Sequence, residues 1–489
     1  MNTLTILIRD EINCTLKGIE DSHIEALKLD HRFRTENYIF HPKYKLGIWD
    51  GYVHFVHKNG ATFIYLLPQI IPKLLQWGYD IEVKDFRIPG LTTPPPITEL
   101  IFSDYVNGDG DPYIMRDYQI ELVNTLILAG SGIALAGTAS GKSIMGAAIA
   151  KSYETAGLRT IIIVPSTVLV SQLYGDFINW GMNCGRLGGK VRDLDHTHLI
   201  TTWQSLQNIP TILTDYDVLV VDECQGAKAL VLSNMLKNEG KRIKYRFGLT
   251  GTMPKNEMDI FQINLTLGDI IYKIPASDLI KRGVLSTVHI NMLELVEPYD
   301  ENHFPDYASE VAYLRGNKDR NKWIANSIIS THNTVVGPNG ETTPTNLLAL
   351  VTSIAVGKML TKLIPDSHFV YGADEVEVRM VIYNLFKDHD NITVITTAQI
   401  GGVGLSIDRV FYLVMVDIGK SFVRVIQGIG RGLRKNVAGG KTHCVVYDIG
   451  SNLKYSKLHN NKRKEFYIES EYPHSIDRIT NYSEKSVEP

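Results

Sequence analysis

Ile133-Ala134-Leu135-Ala136-Gly137-Thr138-Ala139-Ser140-Gly141-Lys142-Ser143 runs from an apolar stretch through a turn of small residues into Lys-Ser, where a helix of small residues, Ile144 to Ala156, opens. A strand handing over to a helix through such a turn can cradle phosphate. Small residues let successive backbone N–H groups converge on phosphate oxygens at the helix N-terminus, Lys142 reaches the β/γ-phosphates, and the Ser143 hydroxyl can ligate Mg²⁺. Gly137, Thr138, Ala139, Ser140, Gly141, Lys142 and Ser143 are therefore the candidate nucleotide-binding residues, with ATP and Mg²⁺ as expected cofactors. Ala136 stands where the strict pattern has glycine.

Outward from this turn, from about Pro112, short β-branched runs alternate with helical patterns, the signature of parallel sheets built from βαβ units. One series comprises Ile133 to Ala136, Thr160 to Val164, Leu199 to Thr202, Val218 to Val221 and Tyr245 to Leu249. A second comprises Leu347 to Val351, His368 to Tyr371, Ile392 to Thr396, Val410 to Val416 and His443 to Tyr447. The fold class is α/β, with two parallel-sheet lobes at 112–285 and 346–489. Between them, 286–345 reads as a connector with a strand at Val288 to Leu295, a helix around Asn317 to Ser330 and the turn-rich loop Gly337 to Thr345. Residues 1–88 read as a small α+β domain for substrate binding, and the Pro-rich stretch Pro89 through Pro96 opens a linker, 89–111. No repeat at solenoid spacing is present, so the duplication is one of architecture.

A phosphate turn alone supports little more than nucleotide binding. Downstream, however, Asp217-Val218-Leu219-Val220-Val221-Asp222-Glu223-Cys224-Gln225 is a hydrophobic strand ending in adjacent carboxylates. Asp222 would hold Mg²⁺ through its water shell, and Glu223 would polarise the water attacking the γ-phosphate. A solvated acidic strand end is the bland alternative for an isolated Asp-Glu pair. Behind a phosphate turn, the catalytic reading prevails.

Charge narrows the partners. With 50 Lys+Arg against 53 Asp+Glu, the 489-residue chain offers no global attraction for a polyanion, and any nucleic-acid surface must be local. No stretch of about 18 apolar residues suggests a membrane span, and the N-terminus does not resemble a secretory signal, so a cytoplasmic protein with no membrane partner is expected. Cys14, Cys184, Cys224 and Cys444 lack C-x-x-C spacing and read as isolated buried thiols.

The order of further motifs resembles that of superfamily 2 helicases, DNA/RNA motors with two RecA-like lobes. Asp222-Glu223-Cys224-Gln225 resembles their D-E-x-Q box, and Arg116-Asp117-Tyr118-Gln119 the R-x-Y-Q box, whose glutamine, here Gln119 beside Arg116, reads the adenine edge. Val164-Pro165-Ser166-Thr167 with Gln172 looks like motif Ia, and Thr201-Thr202-Trp203-Gln204-Ser205 like motif Ic. Leu249-Thr250-Gly251-Thr252 resembles motif III, the coupler of hydrolysis to strand movement. In the second lobe, Leu348 to Thr352 looks like motif IV, and Thr397 with Gly401-Gly402-Val403-Gly404-Leu405-Ser406 like motif V, Ser406 standing where relatives often carry aspartate. The resemblance makes Ser166, Thr167, Thr202, Trp203, Gln204, Thr352, Thr397 and Gly402 candidate nucleic-acid contacts. Gln427-Gly428-Ile429-Gly430-Arg431-Gly432-Leu433-Arg434 matches motif VI, and on a helix Gln427, Arg431 and Arg434 share one face. By resemblance Arg434, then Arg431, is the arginine finger. Lys420 to Lys464, where Asp448 is the only carboxylate, is a candidate phosphate-contacting surface, with a solvated face as the alternative.

Tyr38-Ile39-Phe40-His41-Pro42-Lys43-Tyr44-Lys45-Leu46-Gly47-Ile48-Trp49-Asp50-Gly51-Tyr52 mixes aromatics with bases, and its Asp-Gly pair predicts a hairpin turn. Such residues can stack on bases or pack a small core. This stretch, with Arg320-Asn321-Lys322-Trp323-Ile324-Ala325 and with Tyr371-Gly372 leading to Glu377 and Arg379, is similar to phage recombination helicases. That resemblance implies action on branched DNA (Holliday junctions, forks, D-loops and R-loops). A double-strand translocase subunit of a restriction or remodelling complex, and an ATP-gated nucleic-acid binding module, remain the alternatives.

Overall fold

The computed structural model describes residues 2–88, 93–106, 110–225, 229–254, 256–333, 345–398, 409–419, 430, 433, 442–480 and 482. The chain forms two compact units: Met1–Ala136 with Gly141–Lys273, and Ile274–Pro489 with the short segment Gly137–Ser140.

The first unit is organised by an eight-stranded sheet in the order Val191–Asp193, Cys184–Gly188, His198–Thr202, Thr160–Val164, Val218–Asp222, Tyr245–Thr250, Ser131–Ala136, Ile270–Ile274. The central strands run parallel, and Val191–Asp193 returns antiparallel as a hairpin on Cys184–Gly188. Every residue of Thr160–Val164, His198–Thr202 and Tyr245–Thr250 is buried. Strands covered on both faces favour continuous β-branched and apolar runs, the pattern legible in the sequence.

A smaller four-stranded sheet, ordered Ala61–Phe63, Asn13–Lys17, Asn2–Ile8, Tyr79–Asp85, forms the N-terminal domain. Its core joins that of the large sheet in one cluster running from Leu4 and Ile6 to Leu219 and Leu236. Polar ties fix the junction: the buried Arg246 donates from Nη2 to the Glu11 carbonyl (3.2 Å) and from Nε to that of Thr266 (2.7 Å), and Asn13 Nδ2 donates to the Lys237 carbonyl (3.1 Å). The expected linker is more structured than its prolines suggest. Phe102–Val106 pairs antiparallel with Pro112–Tyr113, and Asn124 exchanges two hydrogen bonds with the backbone of Ile97 (2.8 and 3.1 Å).

The second unit holds a seven-stranded sheet ordered Ser367–Val370, Thr393–Thr397, Leu347–Val351, Tyr412–Val416, His443–Ser451, Thr287–Leu295, His474–Ile479, paired in parallel throughout. Here the expected domain plan needs correction. The 286–345 segment is no free-standing connector, because Thr287–Leu295 lies within this sheet, parallel to His443–Ser451 along its whole length. Its helix Lys318–Asn333 sends Ile324, Ala325 and Ile328 into the core beside Leu347, Ala349 and Val351. These side chains are apolar at helical spacing, and burying them requires the second sheet.

All four cysteines are buried, and burial pushes the thiols of Cys14 and Cys184 up to about 12. Among the described residues no helix is long and apolar enough to cross a membrane.

Candidate nucleotide site

In the first unit Val218–Asp222, Tyr245–Thr250 and Ser131–Ala136 lie side by side, with Asp222 opposite Leu249 and Thr250 opposite Leu135. The phosphate turn, the acidic pair and Thr250 therefore leave the sheet at the carboxyl ends of adjacent parallel strands, where open α/β sheets bind their ligands. The turn is set by its backbone. Ala139 (φ 67°) and Gly141 (φ 88°) are left-handed, the former a conformation costing a non-glycine residue about 1 kcal/mol or more. Ser140 N–H closes on the Gly137 carbonyl at 3.1 Å, and Gly137 N–H donates to Ile274 O at 2.9 Å. Gly137 is required by proximity, since a Cβ there would come within 2.7 Å of the Ala276 amide. The helix Lys142–Glu154 follows at once.

Lys142 Nζ lies 3.4 Å from Glu223 Oε1. Glu223 itself is left-handed (φ 50°), a strained conformation directly after the strand. Its Oε2 accepts from Gln225 Nε2 at 2.6 Å, and the same carboxamide accepts from the Thr250 hydroxyl. Thr250 Oγ1 also meets the Thr252 carbonyl (2.6 Å) and accepts from Thr252 N–H (3.1 Å). A continuous polar chain thus runs from Lys142 through Glu223 and Gln225 to Thr250 and Thr252. Sequence reasoning named Gln225 only as part of a box. A carboxamide that can donate at one end and accept at the other is what such a bridge needs.

Asp222 keeps part of its surface accessible, but its Oδ1 is buried and accepts no hydrogen bond among the described residues. Burial, with Glu223 beside it, pushes this carboxyl up to about 7, Lys142 pulling the other way. Two carboxylates facing one lysine leave the site short of positive charge. A buried oxygen without a donor, with the exposed Ser143 one residue beyond Lys142, fits a divalent cation that takes its remaining oxygens from phosphate and water.

The other predicted residues fall differently. Gln119 is buried; its Oε1 accepts from the Arg116 backbone N–H (3.0 Å), capping the helix Asp117–Ala129, and its Nε2 donates to the Tyr118 hydroxyl (3.4 Å), so both groups expected for adenine have partners within the chain. Its Nε2 lies against Gly141, where an added Cβ would be 2.5 Å away. Ser166 and Thr202 stand at the ends of parallel strands, but their hydroxyls cap helices, accepting from Leu169 N–H (3.3 Å) and Ser205 N–H (3.2 Å). Exposed at those ends are Thr167 and Gln204, while Trp203 packs partly on the core. In the second unit Val351 is opposite Thr397, which brings Thr352 and Thr397 to the carboxyl ends of adjacent parallel strands. Gly402, Gln427, Arg431 and Arg434 lie outside the described residues. Gly430 is described, and a Cβ on it would collide with the Thr138 side chain. The basic surface expected at Lys420 to Lys464 is reduced: Arg463 is buried on Asp448 (2.8 Å), and Lys457 pairs with Glu301 (2.7 Å). Arg320, singled out in the connector, is fully buried and forks onto Asp417 through Nη1 (2.8 Å) and Nη2 (2.7 Å).

Residues 112–255, which contain the whole phosphate turn and acidic pair, match the family model of the type III restriction enzyme, res subunit. Fold, site and match together resemble one class, the ATP hydrolases of the superfamily 2 helicase type. Within it the chain is similar to the ATP-dependent DNA helicase UvsW of Enterobacteria phage T4, 25% identical over 490 residues that cover 95% of this chain and 94% of the phage protein. It is 20% identical over 402 residues to the helicase/translocase subunit XPB/SSL2 of the general transcription and DNA repair factor IIH of Saccharomyces cerevisiae, covering 75% of this chain and 46% of that one. Among solved structures, a fragment of an HsdR-type subunit of a type I restriction enzyme from Vibrio vulnificus YJ016 matches with a TM-score of 0.56 at 15% identity, over 80% of this chain and 72% of that chain. That last likeness speaks to the fold alone.

Proposed function

We propose that the chain couples ATP hydrolysis to strand separation on branched DNA, at Holliday junctions, forks, D-loops and R-loops, serving recombination, repair and replication. The observation that carries the reading is the polar chain from Lys142 to Thr252. A γ-phosphate in the turn competes with Glu223 for Lys142, and once released from the lysine Glu223 is free to polarise the attacking water. Any shift of Glu223 pulls on Gln225, then on Thr250 and Thr252, so the state of the phosphate reaches the segment that follows.

Asp222 and the Ser143 hydroxyl would hold Mg²⁺, which neutralises charge on the β- and γ-phosphate oxygens when bound. Gln119 would face the adenine through Nε2. Arg434, with Arg431 and Gln427 on the same helical face, would supply the arginine finger. Thr167, Gln204, Thr352, Thr397 and Gly402, with Ser166, Thr202 and Trp203 placing the two helix starts, would follow the nucleic-acid backbone without reading its sequence.

The similarity to UvsW over nearly the whole chain favours branched DNA. The match of 112–255 to a restriction-enzyme subunit favours a second reading, translocation along intact duplex without strand separation. ATPase and unwinding measured on four-way junctions, forks, R-loops and linear duplex decide between them. Branched substrates should be unwound and linear duplex poorly used. Equal ATPase on linear and branched DNA without strand separation would establish the translocase instead.

A further inference from the structure

The hairpin predicted at Asp50-Gly51 exists, but its turn is not there. Arg32–Arg34 pairs antiparallel with Tyr52–His54, and between them residues 35–51 form a closed surface loop sealed at its base by Thr35 N–H donating to Gly51 O (3.0 Å). The loop is held by its own bonds. It contains the 3₁₀ turn Tyr38–Phe40 and the short helix Pro42–Lys45, and the amides of Ile48 and Trp49 both donate to the Lys43 carbonyl (2.9 and 3.2 Å). Trp49 Nε1–H donates to Tyr52 O (2.8 Å), and Tyr38 meets Tyr44 edge-on at 4.7 Å.

This internal packing leaves four large apolar side chains outside it: Ile39 is 49% exposed, Phe40 67%, Leu46 71% and Ile48 72%. None of the four belongs to a core cluster, so the fold gives no reason for them. Cations share the loop and its base strand with them. Arg32 sits over the Tyr52 ring (4.0 Å) and Arg34 over Tyr38 (4.4 Å), while Lys43 and Lys45 are exposed. From Arg32 to Lys58 there are five Lys/Arg against two Asp/Glu, in a chain whose overall balance is slightly negative. Both acids are occupied, Asp50 by His54 (2.7 Å) and Glu36 by Asn256 Nδ2 (2.7 Å). The loop is also tied to the motor lobe. Phe33 on its base strand packs on Phe261 (4.9 Å), which lies on the helix Glu257–Leu267, a few residues beyond Thr252.

We propose that this loop is a wedge for the duplex end of a DNA fork, with Phe40, Ile39, Leu46 and Ile48 set against the face of the last base pair and Arg32, Arg34, Lys43 and Lys45 on the flanking phosphates. The chemistry selects the partner. A continuous duplex hides its base faces in the stack and offers phosphate alone, whereas a fork presents one apolar base face ringed by phosphates, the complement of an apolar crest that shares its loop and base strand with cations. The wedge rests on the strand-separation reading, and its tether to the helix beyond Thr252 would let it move with the hydrolytic cycle.

The test uses the full chain and Phe40→Ala/Ile48→Ala, two exposed positions whose change should leave the melting temperature in place. A fork carrying 2-aminopurine in the last base pair is mixed with each protein and a non-hydrolysable ATP analogue, and fork unwinding and single-strand-stimulated ATPase are measured alongside. The wild-type chain should raise 2-aminopurine fluorescence at the fork and not at an interior pair. The double variant should lose that rise and slow unwinding by about tenfold or more, with ATPase unchanged. A variant that matches wild type in both fluorescence and unwinding overturns the wedge and leaves the motor standing. A wild-type chain that raises the signal through Phe40 and Ile48 yet separates no strands keeps the wedge and overturns the proposed activity. A changed oligomeric state with unaltered fork signal assigns the crest to a second copy and overturns the DNA assignment.

Discussion

Each unit carries an aspartate on a central strand, and the two are treated oppositely. Asp448, on His443–Ser451, accepts from Arg463 Nε (2.8 Å) and the Tyr467 hydroxyl (2.9 Å), and the other guanidinium donors go to Ile418 O and Asn460 Oδ1 (2.5 and 2.7 Å). Asp222, ending Val218–Asp222, has Glu223 as its neighbour and a lysine that pairs with Glu223; each aspartate keeps a buried Oδ1 with no donor among the described residues, so what separates them is the counter-charge, a dedicated guanidinium for Asp448 and a shared lysine for Asp222. Breaking a buried ion pair is costly, so a permanent structural charge comes with its counter-charge in the same chain. A charge left short of its partner marks a place where the partner arrives from solution.

The comparison breaks most visibly in catalysis. Lys142→Ala should cut DNA-stimulated ATP hydrolysis by roughly 100-fold or more, on the scale of losing a charged transition-state contact, while DNA binding in a filter assay holds. Unchanged turnover would remove the site. Next comes stability. Arg463→Ala should cost about 3–5 kcal/mol in urea unfolding, because it strands Asp448, whereas Asp222→Asn should cost nothing or raise the midpoint while abolishing hydrolysis. Equal losses in both variants would end the distinction.

A smaller effect lies in pH. The Asp222 carboxyl is raised in the folded state, so its contribution to stability is fully present below the unfolded carboxylate range near pH 4 and is lost as the pH rises through about 7. Mg²⁺ should therefore raise the melting temperature more at pH 8 than at pH 5, and Asp222→Asn should flatten that difference. A Mg²⁺ effect independent of pH and of residue 222 would show that the ion binds elsewhere. Smallest of all, Gln225→Ala removes the bridge but no charge. Basal hydrolysis should fall only a few-fold, the scale of one or two hydrogen bonds, while its stimulation by DNA disappears. Stimulation that survives would show that the coupling takes another route.

What the sequence made legible follows the range of the interactions. Thr160–Val164 and Leu347–Val351 are the strands expected from their apolar runs, because burial on both faces is written locally. The phosphate turn and the acidic pair were equally plain, each being one short segment whose residue types permit few other uses. His474–Ile479 and Val191–Asp193 were missed. They are edge strands with polar faces: Val191–Asp193 pairs with Cys184–Gly188, itself not legible as a strand, and His474–Ile479 adds to the expected strand Thr287–Leu295 without an apolar run of its own. Arg463 reads as part of a basic surface, and nothing near Arg320 announces an aspartate 97 residues away. The hydroxyls of Ser166 and Thr202 suit phosphate and helix caps alike, and only coordinates separate the two uses. Asp50-Gly51 carried a strong turn signal, yet Asp50 spends its carboxylate on Tyr52 N–H (3.0 Å) and His54 at the foot of a longer loop.

The four buried cysteines have a practical consequence. Burial holds the thiols of Cys14, Cys184 and Cys224 above their ordinary range, so at neutral pH the folded chain presents almost no thiolate there for an alkylating reagent. Cys14 lies in the N-terminal sheet, Cys184 in an outer strand of the large sheet, Cys224 directly behind Glu223, and Cys444 in the second sheet. Each therefore becomes reactive only when its own layer opens. The order in which they take up a label is a clock of breathing, layer by layer, and one cysteine introduced on the exposed loop would carry a fluorophore almost alone.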